Sequence, residues 1–421
     1  MGNTKNWDWE TSEKVIDTNL WNSEYNWVEE PCVSPDGETI ASIVNIDEDE
    51  FNICINGETR EMHSEKLWHL RFTPDNRLTA LVSIDGEWTL DVDGIPWENR
   101  FDYAWNPLFS NDGSHIAIAA QSDMKYRMVL DDAPWDSAFV GMSHFTLGAG
   151  GNATAAAVQT KEFKQADVKT FQEGCYTAAL NGEKWDTDYL NVWNMVISPD
   201  GKKLAAEVRL NLYDYTIVEN GVLWASTYSG VWAPVINPVT GIVAAPVRSE
   251  GKWAMAENGT MIWERPFNQI MNQIFSPDGN RLAAIVSPEF GKWTVAVDGT
   301  PWNLMVTDMI TDLVFSPNGK KTAAVMKNND HWFIAVDGDL WEGGYDMVWK
   351  PVFSPDNRHV AAKVEKNGKY TIVLNGHVWK MKFDEIWPPV FDDSGENMLI
   401  RCMENGNYYR RIIPVKDIQT R

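Results

Sequence analysis

The histidines are the first residues to examine for acid–base or metal chemistry. No two of them have the H-E-x-x-H spacing that turns two imidazoles toward one zinc ion from a helix. The seven are scattered along the chain, at His63, His69, His115, His144, His331, His359 and His377. This pattern indicates no metal site, and no other motif indicates a redox cofactor, so we expect the protein to have none.

Motifs for nucleophiles and phosphates are equally scarce. The sequence has no G-x-S-x-G elbow, which would expose a nucleophilic serine. The GAGG run at residues 148–151 lacks the lysine of a Walker loop, so it does not predict a phosphate site. Most carboxylates lie in turn-like segments. We therefore expect no catalytic residues.

The four cysteines lie in strand-like segments and lack the C-x-x-C spacing of redox or zinc sites. We expect Cys32, Cys54, Cys175 and Cys402 to be reduced, buried thiols. Reduced thiols fit a cytoplasmic protein, and the start of the chain, MGNTKNWDWETSEK, shows no secretory signal.

The composition limits the partners. The chain has 421 residues and a formal charge of −24, with 60 Asp and Glu against 36 Lys and Arg. Nucleic acids and anionic lipids both need a basic surface, so neither is expected as a partner. No run of about 18 apolar residues occurs, which predicts no direct membrane span.

A repeated pattern organises the whole chain. Residues 275–302 read FSPDGNRLAAIVSPEFGKWTVAVDGTPW, and residues 315–341 read FSPNGKKTAAVMKNNDHWFIAVDGDLW. Ten such units occur, mostly 37 to 40 residues apart. Their turns are anchored at Ser34, Thr73, Ser110, Thr146, Ser198, Asn237, Ser276, Ser316, Ser354 and Asp392.

Each unit predicts four strands. Strand a precedes the Pro-Asp-Gly turn, strand b follows it, strand c carries an aromatic residue, and strand d follows an Asp-Gly or Asn-Gly turn. Four strands at this period are typical of a β-propeller blade. We predict an all-β fold, a single β-propeller of ten four-stranded blades. Two five-bladed propellers are the alternative, but the spacing stays at 39 residues across the midpoint, between Ser198 and Asn237.

The two ends of the chain predict how the propeller closes. The last unit stops after strand c, near Tyr408, while Trp21 marks an orphan strand d before the first unit. We expect residues 17–31 to supply the closing strand of the last blade, which hides the sheet edges. The predicted divisions are an N-terminal extension (1–16), the propeller (17–415) and a tail (416–421).

Most of the 22 tryptophans fall into three columns of the repeat. A first column follows the Asp/Asn-Gly turn, and a third column lies in strand c, where Tyr or Phe replaces some members. Large rings recurring at these places predict wedges that fill the gaps between blades. The first column contains Trp21, Trp97, Trp135, Trp185, Trp224, Trp263, Trp302, Trp341 and Trp379, and the third contains Trp88, Trp253, Trp293 and Trp332.

The second column lies eight residues after the first, at the passage from strand d into strand a. These rings either cover the end of strand a or form a partly exposed aromatic rim that contacts a protein partner. Four acidic residues between the columns, Asp102, Asp308, Asp346 and Asp384, are expected to accept hydrogen bonds from turns. The second column contains Trp68, Trp105, Trp193, Trp232, Trp349 and Trp387.

Two segments depart from the repeat. Residues 161–174 form the longest connection between strands b and c, and this segment is basic and aromatic in an acidic chain, which predicts a docking finger. The N-terminal extension carries two tryptophans that need a surface. The candidate partner-contacting residues here are Lys161, Phe163, Lys164, Lys169 and Phe171 in the finger, and Trp7 and Trp9 in the extension.

The frame FSPDG…LAAIV…W resembles the WD40-like PD40 repeat of TolB-type β-propellers over nearly the whole chain. The variant V-D-G-x-P-W and the tryptophan content are also similar to the tryptophan-rich subunit of the transmembrane redox (Tmc) complex of sulfate-reducing bacteria. This second resemblance implies a cytoplasmic, cofactor-free subunit attached to a membrane electron-transfer assembly. TolB itself is periplasmic, and the lack of a signal sequence departs from it.

We therefore expect a non-catalytic scaffold or interaction subunit. Its expected partners are other protein subunits, with a membrane-bound electron-transfer complex as the setting, on the cytoplasmic side. The alternative is a propeller enzyme or a small-ligand binder with its site at the central channel. Non-repeating His, Asp, Glu or Arg residues gathered at one place would favour that alternative.

Overall fold

The computed structural model describes residues 4–48, 50–61, 64–162 and 167–419. In this part of the chain the repeat forms ten sheets of strands a to d, so the fold is a ten-bladed β-propeller, as predicted. The blades are numbered along the chain. The strands of blades 1 to 5 are Trp27–Val28 with Cys32–Val33, Ile40–Asp47, Glu50–Ile55 and Glu58–Thr59; Lys66–Phe72, Leu78–Ile84, Glu87–Val92 and Ile95–Pro96; Tyr103–Phe109, Ile116–Ser122, Lys125–Leu130 and Ala133–Pro134; Gly141–Leu147, Thr154–Gln159, Tyr176–Leu180 and Glu183–Lys184; and Asn191–Ile197, Leu204–Arg209, Tyr215–Glu219 and Val222–Leu223.

Blades 6 to 10 repeat this order, and the last blade takes its strand d from the N-terminal segment. Their strands are Gly230–Val231 with Val235–Ile236, Val243–Ser249, Lys252–Glu257 and Thr260–Met261; Gln269–Phe275, Leu282–Glu289, Lys292–Val297 and Thr300–Pro301; Met309–Phe315, Thr322–Asn328, His331–Val336 and Asp339–Leu340; Met347–Val348 with Val352–Phe353, Val360–Lys366, Lys369–Leu374 and His377–Val378; and Glu385–Ile386 with Val390–Phe391, Asn397–Glu404, Asn407–Pro414 and Glu13–Asp17.

Helices are few and short. A 3-10 turn covers Thr4–Asn6, and α-helices cover Trp21–Glu24, Val168–Gln172 and Val415–Gln419. Within the described ranges, no helix has the length and hydropathy that crossing a bilayer requires.

The chain divides into two compact units, one of residues 79–275 and the other of residues 3–78 and 276–421. In the first unit, the first-column residue Trp135 is buried in one cluster with Met128 of blade 3 and Ala156 of blade 4. In the second unit, Trp379 is buried in a cluster that joins blades 9 and 10. The predicted role of the first column as a wedge between blades is therefore confirmed at these positions.

The residue after the second column decides how strand a bends. In blade 5, Asn194 adopts a left-handed backbone (φ 44°), and the register shifts between Trp193 and Val196, which makes a β-bulge. Asn, Asp and His reach this conformation most easily among non-glycine residues. The same backbone occurs in five further blades, at His69, Asn106, His144, Asn272 and Asp312. In blades 1, 6, 9 and 10 other residues stand there before a proline, and strand a is split in two.

The closing strand lies earlier in the chain than predicted. Glu13–Asp17 pairs antiparallel with Asn407–Pro414 and completes blade 10. The predicted segment, residues 17–31, instead forms the helix Trp21–Glu24 and the strand Trp27–Val28, which pairs within blade 1. The five residues of the closing strand pair with Asn407 to Arg411, and Trp21 lies four residues beyond the last pair.

The C-terminal residues predicted as a tail, 416–421, are part of the packed structure as far as they are described. The helix Val415–Gln419 buries Val415 and Ile418 in the same cluster as Trp379. Apolar side chains three residues apart lie on one face of a helix, so this turn seals the end of blade 10.

Candidate functional site

Five of the second-column tryptophans contact the strand c ring of their own blade, and two of these pairs are stacked. Trp193 lies 6.4 Å from Tyr215 between ring centroids at an interplanar angle of 18°, and Trp232 lies 5.3 Å from Trp253 at 10°. These ring contacts cover part of the second column: Trp68 and Trp232 are exposed and the other four tryptophans are half-buried. The remaining pairs are Trp105–Tyr126, Trp349–Tyr370 and Trp387–Tyr408.

Strand b contributes one buried position whose residue type breaks the repeat. It is the fourth residue of the strand (the fifth in blade 10), and in blade 5 it lies directly opposite the second column, Glu207 facing Trp193. Three blades carry a charge there: Glu207, Lys363 and Arg401. The others are apolar, namely Ile43, Leu81, Ala119, Ala157, Pro246, Ile285 and Val325.

The sequence analysis missed these three residues, although a signal was present. The position follows the second-column place by 14 residues in every blade but one, so an alignment of the units on that column exposes the charges. All three side chains are buried. A charge in an otherwise apolar buried position needs a partner, and the three residues differ in the partners they have.

Glu207 is 5% exposed and has one neutral hydrogen-bond donor on its carboxyl. Nδ2 of Asn194 donates to Oε2 at 2.7 Å, and the bulge in strand a aims that amide toward strand b. Burial raises the pKa of Glu207 to about 7, because removal from water disfavours the charged form, while the bond from Asn194 acts in the opposite direction. The carboxyl therefore titrates near neutral pH.

A pocket of about 570 Å³ opens beside Glu207, between blades 5 and 6 in the unit of residues 79–275. The two stacked pairs described above supply its aromatic walls. Gln269 also lines it, and Oε1 of this side chain is buried without a hydrogen-bond partner among the described residues. Arg248, whose side chain is exposed, is the other charged residue of the lining.

At the equivalent place in blade 9, the chain's own Lys363 occupies the space between the second-column ring and the strand c ring. Its ammonium lies 4.3 Å from the ring centroid of Trp349 and 4.5 Å from that of Tyr370. It also forms an ion pair with Glu385 at the start of strand a of blade 10. The second-column and strand c rings of blade 9 therefore hold a cation, as aromatic faces do.

Arg401 has a structural role. Nη1 donates to the carbonyl of Ser34 at 3.0 Å, and Nη2 donates to the carbonyl of Pro388 at 2.7 Å. Nearby, the hydroxyl of Tyr408 donates to the carbonyl of Gly37 at 2.8 Å. The bonds to Ser34 and Gly37 connect blade 10 to the turn of blade 1 across the join between the two ends of the chain.

The finger occupies the predicted place, between strands b and c of blade 4, but Lys161 faces inward. Its ammonium donates to the carbonyl of Gly174 at 2.7 Å and pairs with Asp188 at 3.2 Å. Lys161 therefore holds the base of the loop together.

The outer part of the finger contains the helix Val168–Gln172, whose N-cap side chain, Asp167, accepts from the backbone of Thr170. Lys169 is exposed on this helix and Phe171 is half-buried. The predicted contact residues Phe163 and Lys164 lie outside the described residues.

The connections between strands b and c carry exposed apolar side chains on three consecutive blades of one unit. Met124 of blade 3 is 80% exposed, Val168 of blade 4 is 59% exposed, and Tyr213 of blade 5 is 78% exposed. Strand register places these connections beside the start of strand a, at the edge of the sheet that also carries the second column. The b–c connections and the second column therefore lie at the same edge of their sheets.

The two N-terminal tryptophans bury part of their surface against each other. Trp7 and Trp9 stack with ring centroids 6.2 Å apart, and Trp9 donates to the carbonyl of Thr4 at 3.0 Å. The Thr4 hydroxyl donates to Asp393 of blade 10 at 2.6 Å, which anchors this segment.

The acidic residues between the columns accept backbone hydrogen bonds, as predicted. Asp102 accepts from the N–H of Asp123 at 2.8 Å, in the turn between strands b and c of the same blade. This bond orients the turn, and the three other aspartates make the same bond, Asp308 with Asp330, Asp346 with Asn367 and Asp384 with Asn405.

The cysteines are free thiols: Cys54, Cys175 and Cys402 are buried, and Cys32 is half-buried. Burial raises the pKa of Cys32 and of Cys402 to about 12, which keeps both as thiols. In the part of the chain that the structure describes, no group of three or more His, Cys, Asp or Glu is placed to hold a metal ion.

No protein family model matches the chain, and no curated protein sequence matches it significantly. Solved structures are similar to it at low identity. A eukaryotic initiation factor is 14% identical with a TM-score of 0.44, covering 94% of this chain and 98% of that one. The Dos1 propeller is 14% identical (TM-score 0.38, 80% and 96% covered). Dipeptidyl peptidase 4 of Porphyromonas gingivalis is 13% identical (TM-score 0.43, 84% and 67% covered).

Proposed function

We propose that the protein is a non-catalytic scaffold that binds another protein subunit through the b–c connections of blades 3 to 5. The observation that carries this proposal is Met124, which is exposed and adopts a left-handed backbone (φ 58°). Bulky side chains rarely adopt that conformation. The equivalent turns of five other blades place glycine there instead, as Gly86, Gly251, Gly291, Gly368 and Gly406.

A turn that keeps a strained, exposed methionine indicates a use for the side chain. Val168 and Tyr213 extend the apolar character to the two following blades. Aromatic residues and methionine are enriched in protein interfaces, and isolated loops have no folding reason to display them together.

A narrower proposal concerns the partner. The repeat and the tryptophan content resemble the tryptophan-rich subunit of the Tmc complex, which supports a place on the cytoplasmic side of a membrane-bound electron-transfer complex. This proposal predicts that membrane redox subunits co-purify with the protein from its native source.

Affinity purification with a matched control tests both proposals. The variant Met124→Ser with Tyr213→Ser removes apolar area from the proposed edge. The control Val239→Ser removes a side chain that is 66% exposed in the turn between strands a and b of blade 6, at the opposite edge of a sheet.

We expect the wild type and the control to retain a stoichiometric partner and the double variant to retain at least tenfold less. Equal retention by all three, or a wild type that purifies alone, would refute the scaffold. A soluble partner would support the scaffold and reject the membrane complex.

A further inference from the structure

Blades 5 and 9 share an aromatic frame, a pair of rings from the second column and from strand c, but they differ in the charged residue on strand b beside these rings. In blade 9, Trp349 and Tyr370 enclose the ammonium of Lys363, and Glu385 supplies the counter-charge. In blade 5, Trp193 and Tyr215 occupy the same two places of the repeat, but Glu207 replaces the lysine.

The position that carries the acidic counter-charge beside blade 9 is also occupied by a different residue beside blade 5. Glu385 lies two residues before the second column of blade 10, and the equivalent residue of blade 6 is Gly230. Gly230 lines the pocket and brings no side chain into it. Blades 5 and 6 therefore present the rings and one buried carboxyl, without a buried cation like that of blade 9. The Arg209 guanidinium lies 5.6 Å from the centroid of the Tyr215 ring, but it donates to the carbonyls of Asn211 and Leu212.

The pocket is suited to a positively charged ligand. Its buried polar groups include the Glu207 carboxyl and the unpartnered Oε1 of Gln269, and both are able to accept a hydrogen bond from a ligand. Its walls include Trp193, Tyr215, Trp232 and Trp253, whose faces attract cations. At about 570 Å³ it falls in the size range of small-ligand sites.

The energetics point the same way. A buried carboxylate with one neutral donor is incompletely compensated, so a cation that reaches it gains an ion pair in a site of low polarity. Arg248 does not fill this role as Lys363 does in blade 9, because its side chain is exposed.

We propose that the pocket between blades 5 and 6 binds an organic ammonium group, held between the aromatic rings and the Glu207 carboxylate. The group comes from a free amine or from a lysine side chain of another protein. This inference goes beyond the scaffold proposal and does not depend on it, because a free amine can load the pocket when no partner is present.

Isothermal titration calorimetry at pH 8 on the full chain tests the proposal. The probes are butylammonium and tetramethylammonium, with 1-pentanol and butyrate as neutral and anionic counterparts. We expect one amine per chain, with at least tenfold weaker binding of both counterparts. Glu207→Gln should weaken amine binding at least tenfold, and Glu183→Gln, on the exposed strand d of blade 4, should not change it.

No amine binding by the wild type, equal binding of 1-pentanol, tighter binding of butyrate, or an unchanged affinity in Glu207→Gln would each overturn the proposal. A second variant locates the site independently. Glu207→Lys with Gly230→Glu copies the charges of blade 9 and should abolish amine binding, because the chain then fills its own pocket. Full binding by a folded form of this variant would place the amine elsewhere.

Two further titrations distinguish a free amine from a protein lysine as the source of the ammonium group. A lysine-containing peptide and its trimethyllysine form are compared with the free amines. Tighter binding of either peptide than of the matching free amine assigns the site to a protein side chain. Equal or weaker peptide binding assigns it to a small amine.

Discussion

Replacing Glu207 with glutamine should stabilise the protein at pH 8 and leave its stability unchanged at acidic pH. The carboxyl has an ordinary pKa of 4.5, and burial raises the pKa to about 7 in the folded protein. The folded state therefore binds the proton more tightly than the unfolded chain. Folding stability is full below pH 4.5, falls as the pH rises through the interval up to about 7, and stays reduced above it.

The magnitude follows from the two pKa values. Each tenfold change in proton affinity is worth about 1.4 kcal/mol, so the shift from 4.5 to about 7 amounts to about 3 kcal/mol. Glutamine stays neutral, keeps the shape of the side chain, and still accepts a hydrogen bond from Asn194. The gain from Glu207→Gln should therefore rise from near zero below pH 4.5 to about 3 kcal/mol at pH 8.

Urea denaturation at pH 4 and pH 8 measures this difference, and Glu183→Gln is the control for a loss of charge elsewhere. Native-state hydrogen exchange in blade 5 provides a local free energy of opening as a second readout. An equal effect at both pH values would refute the reasoning. Destabilisation at pH 8 would show that the carboxylate is ionised and well paired, with Arg248 as the charged neighbour in the lining.

Three further predictions concern stability, each measured as the free energy of unfolding in urea. Ile16→Asp should lower this free energy by about 2 kcal/mol, because the half-buried Ile16 packs in the core. Val15→Asp, on the exposed face of the same strand, should leave it unchanged, and equal effects of the two variants would contradict the register of the closing strand. Lys363→Met should lower the free energy of unfolding by about 2 kcal/mol, because the Glu385 carboxylate then loses its ion pair. An unchanged free energy would mean that solvent replaces the ion pair. Trp135→Ala should lower the free energy of unfolding by about 4 kcal/mol and Trp232→Ala by about 1 kcal/mol, because only Trp135 is a buried wedge between blades. A larger loss in Trp232→Ala would contradict the assignment of the tryptophan columns.

The blade architecture was predictable because it depends on local patterns that are written ten times. A turn flanked by alternating apolar residues predicts a hairpin wherever it occurs, and the tenfold repetition removed the ambiguity of any single unit. The roles of Trp135 as a wedge and of Asp102 as a turn acceptor were predictable for the same reason. Both follow from a position in the repeat.

The closing strand was harder to predict because it depends on a long-range pairing. The position of Trp21 suggested residues 17–31, yet Glu13–Asp17 forms the strand. The register depends on pairing with residues about 390 positions later in the chain, which a short-range pattern does not specify. The finger shows a similar limit: Lys161 reads as a free charge in the sequence, but Asp188 lies close enough to pair with it only in the folded loop.

The sequence by itself determined the fold class, the strand order within each blade and the places of the three tryptophan columns, because each of these follows from short-range patterns and their repetition. Only the tertiary structure decided the roles of the residues that depart from the repeat. Glu207 and Lys363 stand at the same place in the repeat, and their meaning depends on neighbours from other strands and from the next blade. Glu385 reaches Lys363 and completes one frame, whereas Gly230 leaves the other open. Contacts of this kind arise where chain segments meet in space, so no local pattern encodes them.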